Sequence, residues 1–142
     1  MPATTTGNTT PLYSKVADWQ WSGAITTANT TKDLTAGTSY LVFTADATNG
    51  GFVKKLRIRH LGTNVATVMR VFINNGSATG TATNNILFDE IGLQSNTISE
   101  TSASSLYELP INEALPPGYK IYVTIGTAVA AGLAVSAVAG KY

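Results

Sequence analysis

The residues that could take part in catalysis are few, and their spacing argues against each kind of reaction. Asp89 and Glu90 are adjacent in the apolar run ILFDEIGL, which predicts a strand. Neighbouring strand residues point to opposite faces, so these two carboxylates cannot flank one glycosidic bond as hydrolysis requires. His60 is the single histidine, no carboxylate lies at ligand or triad spacing from it, and cysteine is absent. We therefore expect a protein that is not an enzyme and has no metal or cofactor.

Four of the nine cationic residues lie between positions 54 and 59. Strand alternation predicts a ridge of Lys55, Arg57 and Arg59 on one face of this segment, with Lys54 on the other. The ridge could meet an acidic protein surface or simply face solvent. A net charge of +1 over the whole chain does not provide the broad positive field typical of nucleic-acid binding. We expect no nucleic-acid partner.

Two tryptophans, Trp19 and Trp21, are two positions apart and are predicted to share one face of a strand. Trp buries a large area and is enriched at interfaces, which favours an anchor in the core or at a subunit boundary. An aromatic platform for sugar is the alternative. Asp18 and Gln20 fall on the opposite face, which leaves few polar groups beside the rings.

Two charged residues, Arg70 and Glu90, each interrupt an apolar strand. Either charge would be costly to bury alone. We predict that they form an ion pair, inside the fold or across a subunit boundary. The alternative is that both face solvent at a strand edge.

The composition and the turn signals predict the architecture that positions these residues. Charged residues make up 12% of the chain, about half the usual share of roughly 25%. Strands are predicted at 13–25 (with a bend at 22–23), 40–45, 52–61, 65–73, 86–93, 106–109, 119–125 and 133–138. Short strands separated by turns indicate an all-β fold, an eight-stranded antiparallel β-sandwich resembling a jelly roll.

The sequence divides into a short arm and one domain. Residues 1–11 are rich in Thr, Gly, Asn and Pro and predict an extended N-terminal arm, while 12–142 form a single β-sandwich domain. The candidate partner-binding residues of the arm are Thr4, Thr5, Thr6 and Asn8.

An uncharged stretch, residues 121–140, is as long as a membrane span. Its first part alternates between Ile or Val and more polar residues, Gly126 and Thr127 offer a break, and alternation resumes at Leu133. We therefore predict two buried strands and no membrane partner.

Together, the Thr-rich arm, the strand pattern and the low charge resemble small decoration (cement) proteins of tailed-phage heads. The run LPPGYKIYV at 115–123 and the segment LRIRHLGTNVATVMRVFINN at 56–75 carry the resemblance. It implies a jelly-roll-like sandwich, often trimeric, that sits on the outer capsid and clamps neighbouring coat subunits. No catalytic residues come with it.

The resemblance implies a structural protein of the virion that is made in the host cytoplasm and placed on the capsid surface. Its expected partners are the major capsid protein and itself, as a homotrimer. The turn at Leu115 and Pro116, with the two tryptophans and the cationic ridge, is expected to supply contacts. The alternatives are a head-fibre or tail module that adheres to host glycans, or a free carbohydrate-binding module.

Overall fold

A computed structural model describes residues 15–142 as an all-β molecule. The predicted arm, with Thr4, Thr5, Thr6 and Asn8, lies outside the described residues. The strands are β1 (Val16–Ala17), β2 (Gln20–Trp21), β3 (Tyr40–Thr44), β4 (Gly51–His60), β5 (Thr67–Asn74), β6 (Asn85–Leu93), β7 (Leu106–Leu115), β8 (Lys120–Ile125) and β9 (Leu133–Lys141). One 3-10 turn, Ala82–Asn84, is the sole helical element of this range.

Two antiparallel sheets pack against each other in jelly-roll order. The five-stranded sheet runs β1/β2–β9–β4–β7, where β1 and β2 are successive pieces of one edge strand. The four-stranded sheet runs β3–β8–β5–β6. The pairs β5·β6, β4·β7, β3·β8 and β1/β2·β9 are nested, so the chain folds as one long hairpin rolled into two layers. The predicted all-β, antiparallel sandwich is confirmed.

The core lies between the sheets and is built from alternate strand positions. On β8, Ile121, Val123 and Ile125 are fully buried, and on β9 Leu133 and Val135 take the same role. The stretch 121–140 thus forms two buried strands, as its alternation predicted. Within residues 15–142, no helix is both long and apolar enough to span a bilayer.

A bulge in β4 corrects the predicted alternation of the basic segment. The register with β9 shifts between Val53 and Lys55, so Lys54 is an extra residue on β4. Val53 therefore points inward together with Leu56 and Ile58, all of which are fully buried. Strict two-residue alternation predicts Val53 on the face of Lys55 and Arg57, opposite Leu56 and Ile58. Counting two-residue steps through a bulge gives the wrong face on one side of it.

Strand β7 extends further than predicted, from Leu106 to Leu115 rather than ending at 109. Pro110 does not end it because β7 is an edge strand, where a missing backbone donor is tolerated. A second irregularity follows at Asn112, which has a positive φ of 51°. These features keep the edge from pairing regularly with another strand.

The first predicted strand, 13–25, is divided rather than continuous. β1 and β2 each contribute two residues to the ladder with β9, and Ile25 adds an isolated bridge to Leu133. Asp18 and Trp19 separate the two pieces.

The segment between β2 and β3, residues 26–39, lies over the outer side of the four-stranded sheet. Asn29 ties it to the end of β8, and the carbonyl of Asp33 accepts a hydrogen bond from Asn85 at the start of β6. Leu34 is buried in this segment despite a positive φ of 62°. Phe72, on the outer side of β5, is also fully buried. We conclude that the segment covers the region around Phe72.

Candidate functional site

Five of the seven described residues that the sequence predicts to bind a partner lie on the outer side of the five-stranded sheet. Register partners share a face, and one row across four strands consists of Trp21, Ser136, Arg57 and Glu108. The next row contains Arg59, and Lys55 lies on the other side of Arg57 along β4. We call this surface the tryptophan face and define it by Trp19, Trp21, Lys55, Arg57 and Arg59.

Both indole rings on this face are exposed. Trp19 is 56% exposed and Trp21 is 71% exposed. Neither ring therefore anchors the core of the protomer, which was one of the two structural roles considered for them. An interface anchor and a sugar platform both remain compatible with this placement.

A concavity of about 280 Å³ lies beside Trp21. Its floor is formed by Ala134 and Ser136 on β9, whose small side chains leave a depression between larger neighbours. Trp21 forms one wall, and Arg57 with Arg59 on β4 form the other. Apolar surface, hydroxyl and guanidinium groups are thus available within one shallow site.

A second concavity, of about 360 Å³, follows along the same strand. Its floor is formed by residues 138–140 of β9, and Trp19 with Phe52 provide aromatic walls. Lys15 and Lys54 add two cations. The two concavities therefore repeat one composition: an exposed indole, small or aliphatic floor residues and at least one cation.

Glu108 on β7 holds part of the cationic ridge in place. Its Oε2 lies 3.0 Å from Lys55 Nζ, and its Oε1 lies 3.4 Å from Arg57 Nε. The hydrogen bond from Lys55, with the charges of Lys55 and Arg57, lowers the pKa of Glu108 below its ordinary value. One carboxylate thus holds Lys55 by a hydrogen bond and lies close enough to Arg57 to neutralise part of its charge.

The remaining cations of the surface have no carboxylate partner among residues 15–142. Arg59 Nη1 donates to the carbonyl of Ser104 at 3.0 Å, which orients the guanidinium without neutralising it. Neither Lys15 nor Lys54 forms an ion pair within the described range. The sheet face therefore carries net positive charge although the whole chain is nearly neutral.

Gln20 fixes the strand piece that presents the two tryptophans. Its side chain points away from the rings and pairs with the backbone of Thr44 at the edge of the other sheet. Gln20 Nε2 donates to Thr44 O at 2.9 Å, and Thr44 N donates to Gln20 Oε1 at 2.9 Å. This reciprocal pair joins β2 to β3 as one rung of a ladder would.

The predicted ion pair between Arg70 and Glu90 lies elsewhere, on the four-stranded sheet. The two residues are register partners on β5 and β6, and Arg70 Nε lies 2.8 Å from Glu90 Oε1. The side chain of Arg70 is 14% exposed, whereas that of Glu90 is 47% exposed. The pair is therefore half-buried and forms within the chain itself.

The turn after β7 supplies one of its two expected contact residues to the surface. Leu115 is buried in the core, so its side chain is not available to a partner. Its carbonyl packs so closely on Gly50 that a Cβ there would lie 2.5 Å away. Pro116, the next residue, is exposed.

His60 and the adjacent carboxylates of Asp89 and Glu90, the residues considered for catalysis, lie on different sheets. His60 is buried at the end of β4 beside Asn64 and the ring of Tyr107. Asp89 is the register partner of Val71, one position from the ion-paired Glu90. Among the described residues, no three His, Asp or Glu side chains are grouped to hold a metal ion.

Three features of the site were not identified from the sequence. Gln20 was placed on the correct face, but nothing indicated its pairing with Thr44. Lys15 and Phe52 were not expected to flank Trp19, because they come from strands distant in sequence. The alternation of residues 133–138 predicts a strand. The small side chains of Ala134 and Ser136 on one of its faces were the available signal for a depression in the sheet.

Comparison with known proteins does not add a family to this geometry. No protein-family model matches the chain, and no curated protein matches it.

Proposed function

We propose that this chain is a structural protein of the virion, a decoration (cement) protein that binds the outside of an assembled tailed-phage head. The observation that supports this most is the tryptophan face, where two exposed indole rings lie beside three cations, of which Arg59 has no carboxylate partner among residues 15–142. Trp and Arg are the residues that most often dominate binding energy at protein interfaces. The partner in this proposal is the major capsid protein.

A decoration protein works by binding the assembled lattice in preference to free subunits. Such binding stabilises the lattice by mass action, and many copies per head add their effects. A face on a sheet suits this role because its backbone is already ordered, so no loop has to be ordered on binding. The net positive charge of the face favours acidic patches on the coat.

A homotrimer is part of the same proposal. Edge strand β6 is nine residues long and exposes Ile86, whose side chain is 62% exposed, next to Phe88. A long edge strand with exposed apolar side chains is a common point of association between chains, and on β6 these side chains precede the charged Asp89 and Glu90. Sedimentation of the purified protein at micromolar concentration should give three times the chain mass, and a monomer would contradict this part.

The binding proposal is tested with phage heads that lack the protein. Wild-type chain should co-sediment with such heads and raise their resistance to heat. Trp21→Ala and the double variant Arg57→Gln/Arg59→Gln should bind at least about tenfold more weakly, as loss of interface hot-spot residues does. Lys32→Gln is the matched control, because Lys32 is exposed in the segment 26–39, away from this face. If the wild-type chain does not co-sediment with the heads, the proposal is refuted.

Adhesion to host glycans is the second candidate, and one observation favours it. The concavity beside Trp21 combines an indole ring with the hydroxyls of Ser22 and Ser136. A glycan array separates the two functions. Binding to glycans that requires Trp21, without binding to heads, would support adhesion instead.

A further inference from the structure

The two concavities of the tryptophan face lie one after the other along β9, and we call the pair of them the groove. The floor of the first is Ala134 and Ser136, and the floor of the second is Val138 and Gly140. Positions four residues apart on a strand are about 13 Å apart, at roughly 3.3 Å per residue. A linear ligand that lies along β9 would therefore contact both indole rings, whereas one sugar ring would reach a single concavity.

We propose that this groove binds an extended acidic peptide segment of a partner protein. The proposal rests on the proposed function, since it names the chemistry that the face would recognise on the coat. In an extended peptide, side chains on one side repeat about every 6.7 Å, so carboxylates at positions i and i+4 match the spacing of the concavities. The sequence feature required is therefore acid-x-apolar-x-acid.

Each concavity offers a cation that no described carboxylate neutralises. In the first, Arg59 is held by the Ser104 carbonyl at 3.0 Å and retains other guanidinium N–H groups for a carboxylate. In the second, Lys15 and Lys54 flank Trp19. Between them, Val138 and the two rings present apolar surface for the central residue of the segment.

Two other occupants do not offer the carboxylates that the groove requires. Residues 1–14 of the chain contain neither Asp nor Glu, so they cannot satisfy the cations. The adjacent acids Asp89 and Glu90 of a second copy lie on β6 at neighbouring positions, and Glu90 is engaged by Arg70. They do not present two carboxylates at four-residue spacing.

The test uses intrinsic fluorescence, because the chain has two tryptophans and both lie in the groove. The probe is a capped synthetic peptide, Ser-Glu-Ser-Val-Ser-Glu-Ser, titrated into the full-length protein. We expect a saturable change in Trp emission that weakens as salt is raised. The peptide with both Glu replaced by Gln should bind at least about tenfold more weakly, the loss that 1.4 kcal/mol produces.

Variants locate the two contacts. Arg59→Gln and Lys54→Gln should each weaken binding of the acidic peptide, whereas Lys32→Gln, with the same change in charge, should not. Equal affinity for the Glu and Gln peptides, no fluorescence change, or a change that both variants retain would overturn the proposal. A response to an oligomer of galacturonic acid and none to the peptide would overturn it in favour of an acidic glycan.

Binding to heads separates this inference from the proposed function. If wild-type protein binds heads but the peptide does not bind, the inference fails and the decoration function stands. If the peptide binds with the expected dependence on Arg59 and Lys54 but heads are not bound, the groove is supported and the decoration function fails.

Discussion

Asn64 fixes the position of the proton on His60. Asn64 Oδ1 accepts a hydrogen bond from the amide of Ala131, and Nδ2 donates to the carbonyl of Gly132 at 2.8 Å. The amide therefore cannot flip, and Nδ2 is also the donor to His60 Nδ1 at 3.1 Å. The ring proton must lie on Nε2. A second proton on the ring would place one N–H against another.

Protonation of His60 should destabilise the fold. Burial, opposed by an interaction with the Gln94 backbone, lowers the pKa of His60 below 6.5. His60 therefore binds a proton more readily in the unfolded chain than in the folded one. Its contribution to the free energy of unfolding is fully present above about pH 6.5 and is lost as the pH falls towards the pKa of the folded state. Urea unfolding between pH 7 and pH 5 measures this. His60→Gln should remove the slope near pH 6, and an unchanged slope would show that another group is responsible.

Removing Glu90 from its ion pair with Arg70 should lower the free energy of unfolding more than removing Arg70 does. Loss of Glu90 leaves a mostly buried guanidinium whose Nη1 already has no hydrogen-bond partner in the described structure. Loss of Arg70 leaves a carboxylate that water can reach. We expect Glu90→Ala to cost about 1–3 kcal/mol of unfolding free energy, between the values for exposed and buried pairs.

A double-mutant cycle with Arg70→Ala and Glu90→Ala isolates the interaction itself. We expect a coupling of about 1 kcal/mol. Glu90→Gln is the matched control, since it retains an acceptor for Arg70 Nε and should cost less than Glu90→Ala. Additive effects in the cycle would show that the pair contributes nothing to stability.

At the scale of strands, the side chain of Gln20 joins the two sheets at one edge of the sandwich. It replaces a ladder rung between β2 and β3, which belong to different sheets. Gln20→Ala should cost about 1–2 kcal/mol, because two backbone groups of Thr44 lose their partners. Hydrogen exchange of the Thr44 amide should accelerate. Gln94→Ala, at an exposed glutamine, should change neither quantity, and equal effects of the two variants would refute this role.

The sequence predicted the strands well where alternation was regular and less well where a bulge or proline intervened. β8 and β9 were identified from the alternation of Ile, Val and Leu with smaller residues. The bulge at Lys54 was not visible, because an extra residue on one strand depends on its partner strand. The sequence predicts a strand end before Pro110 because proline lacks a backbone donor. Topology, which local sequence does not show, places Pro110 on an edge strand that tolerates this loss.

In the candidate site too, local alternation predicts some features, whereas others depend on how the strands pair. The ridge of Arg57 and Arg59 and the shared face of the tryptophans followed from two-residue periodicity alone. Their meeting across β9 did not, since it depends on β2, β9 and β4 lying side by side in the five-stranded sheet. Glu108, the ion-pair partner of Lys55 and Arg57, lies on β7, and the sequence does not predict which strand pairs with β7.

At the scale of the whole molecule, charge is distributed unevenly although its sum is small. Lys15, Lys54, Lys55, Arg57 and Arg59 lie on or beside the tryptophan face, where Glu108 is their only ion-pair partner among residues 15–142. The composition, with a net charge of +1, conceals this asymmetry. A surface of this kind increases association rates with acidic partners and makes them depend on salt.

The tryptophan face should be dispensable for folding. Trp21 is 71% exposed, so Trp21→Ala removes little buried surface and should change the unfolding free energy by less than about 0.5 kcal/mol. Phe43→Ala is the comparison, because Phe43 is fully buried and its truncation should cost about 3–5 kcal/mol. Urea unfolding gives both values. If Trp21→Ala lowers stability as much as Phe43→Ala does, the ring serves the fold, and the weaker binding expected of that variant could no longer be attributed to a lost contact.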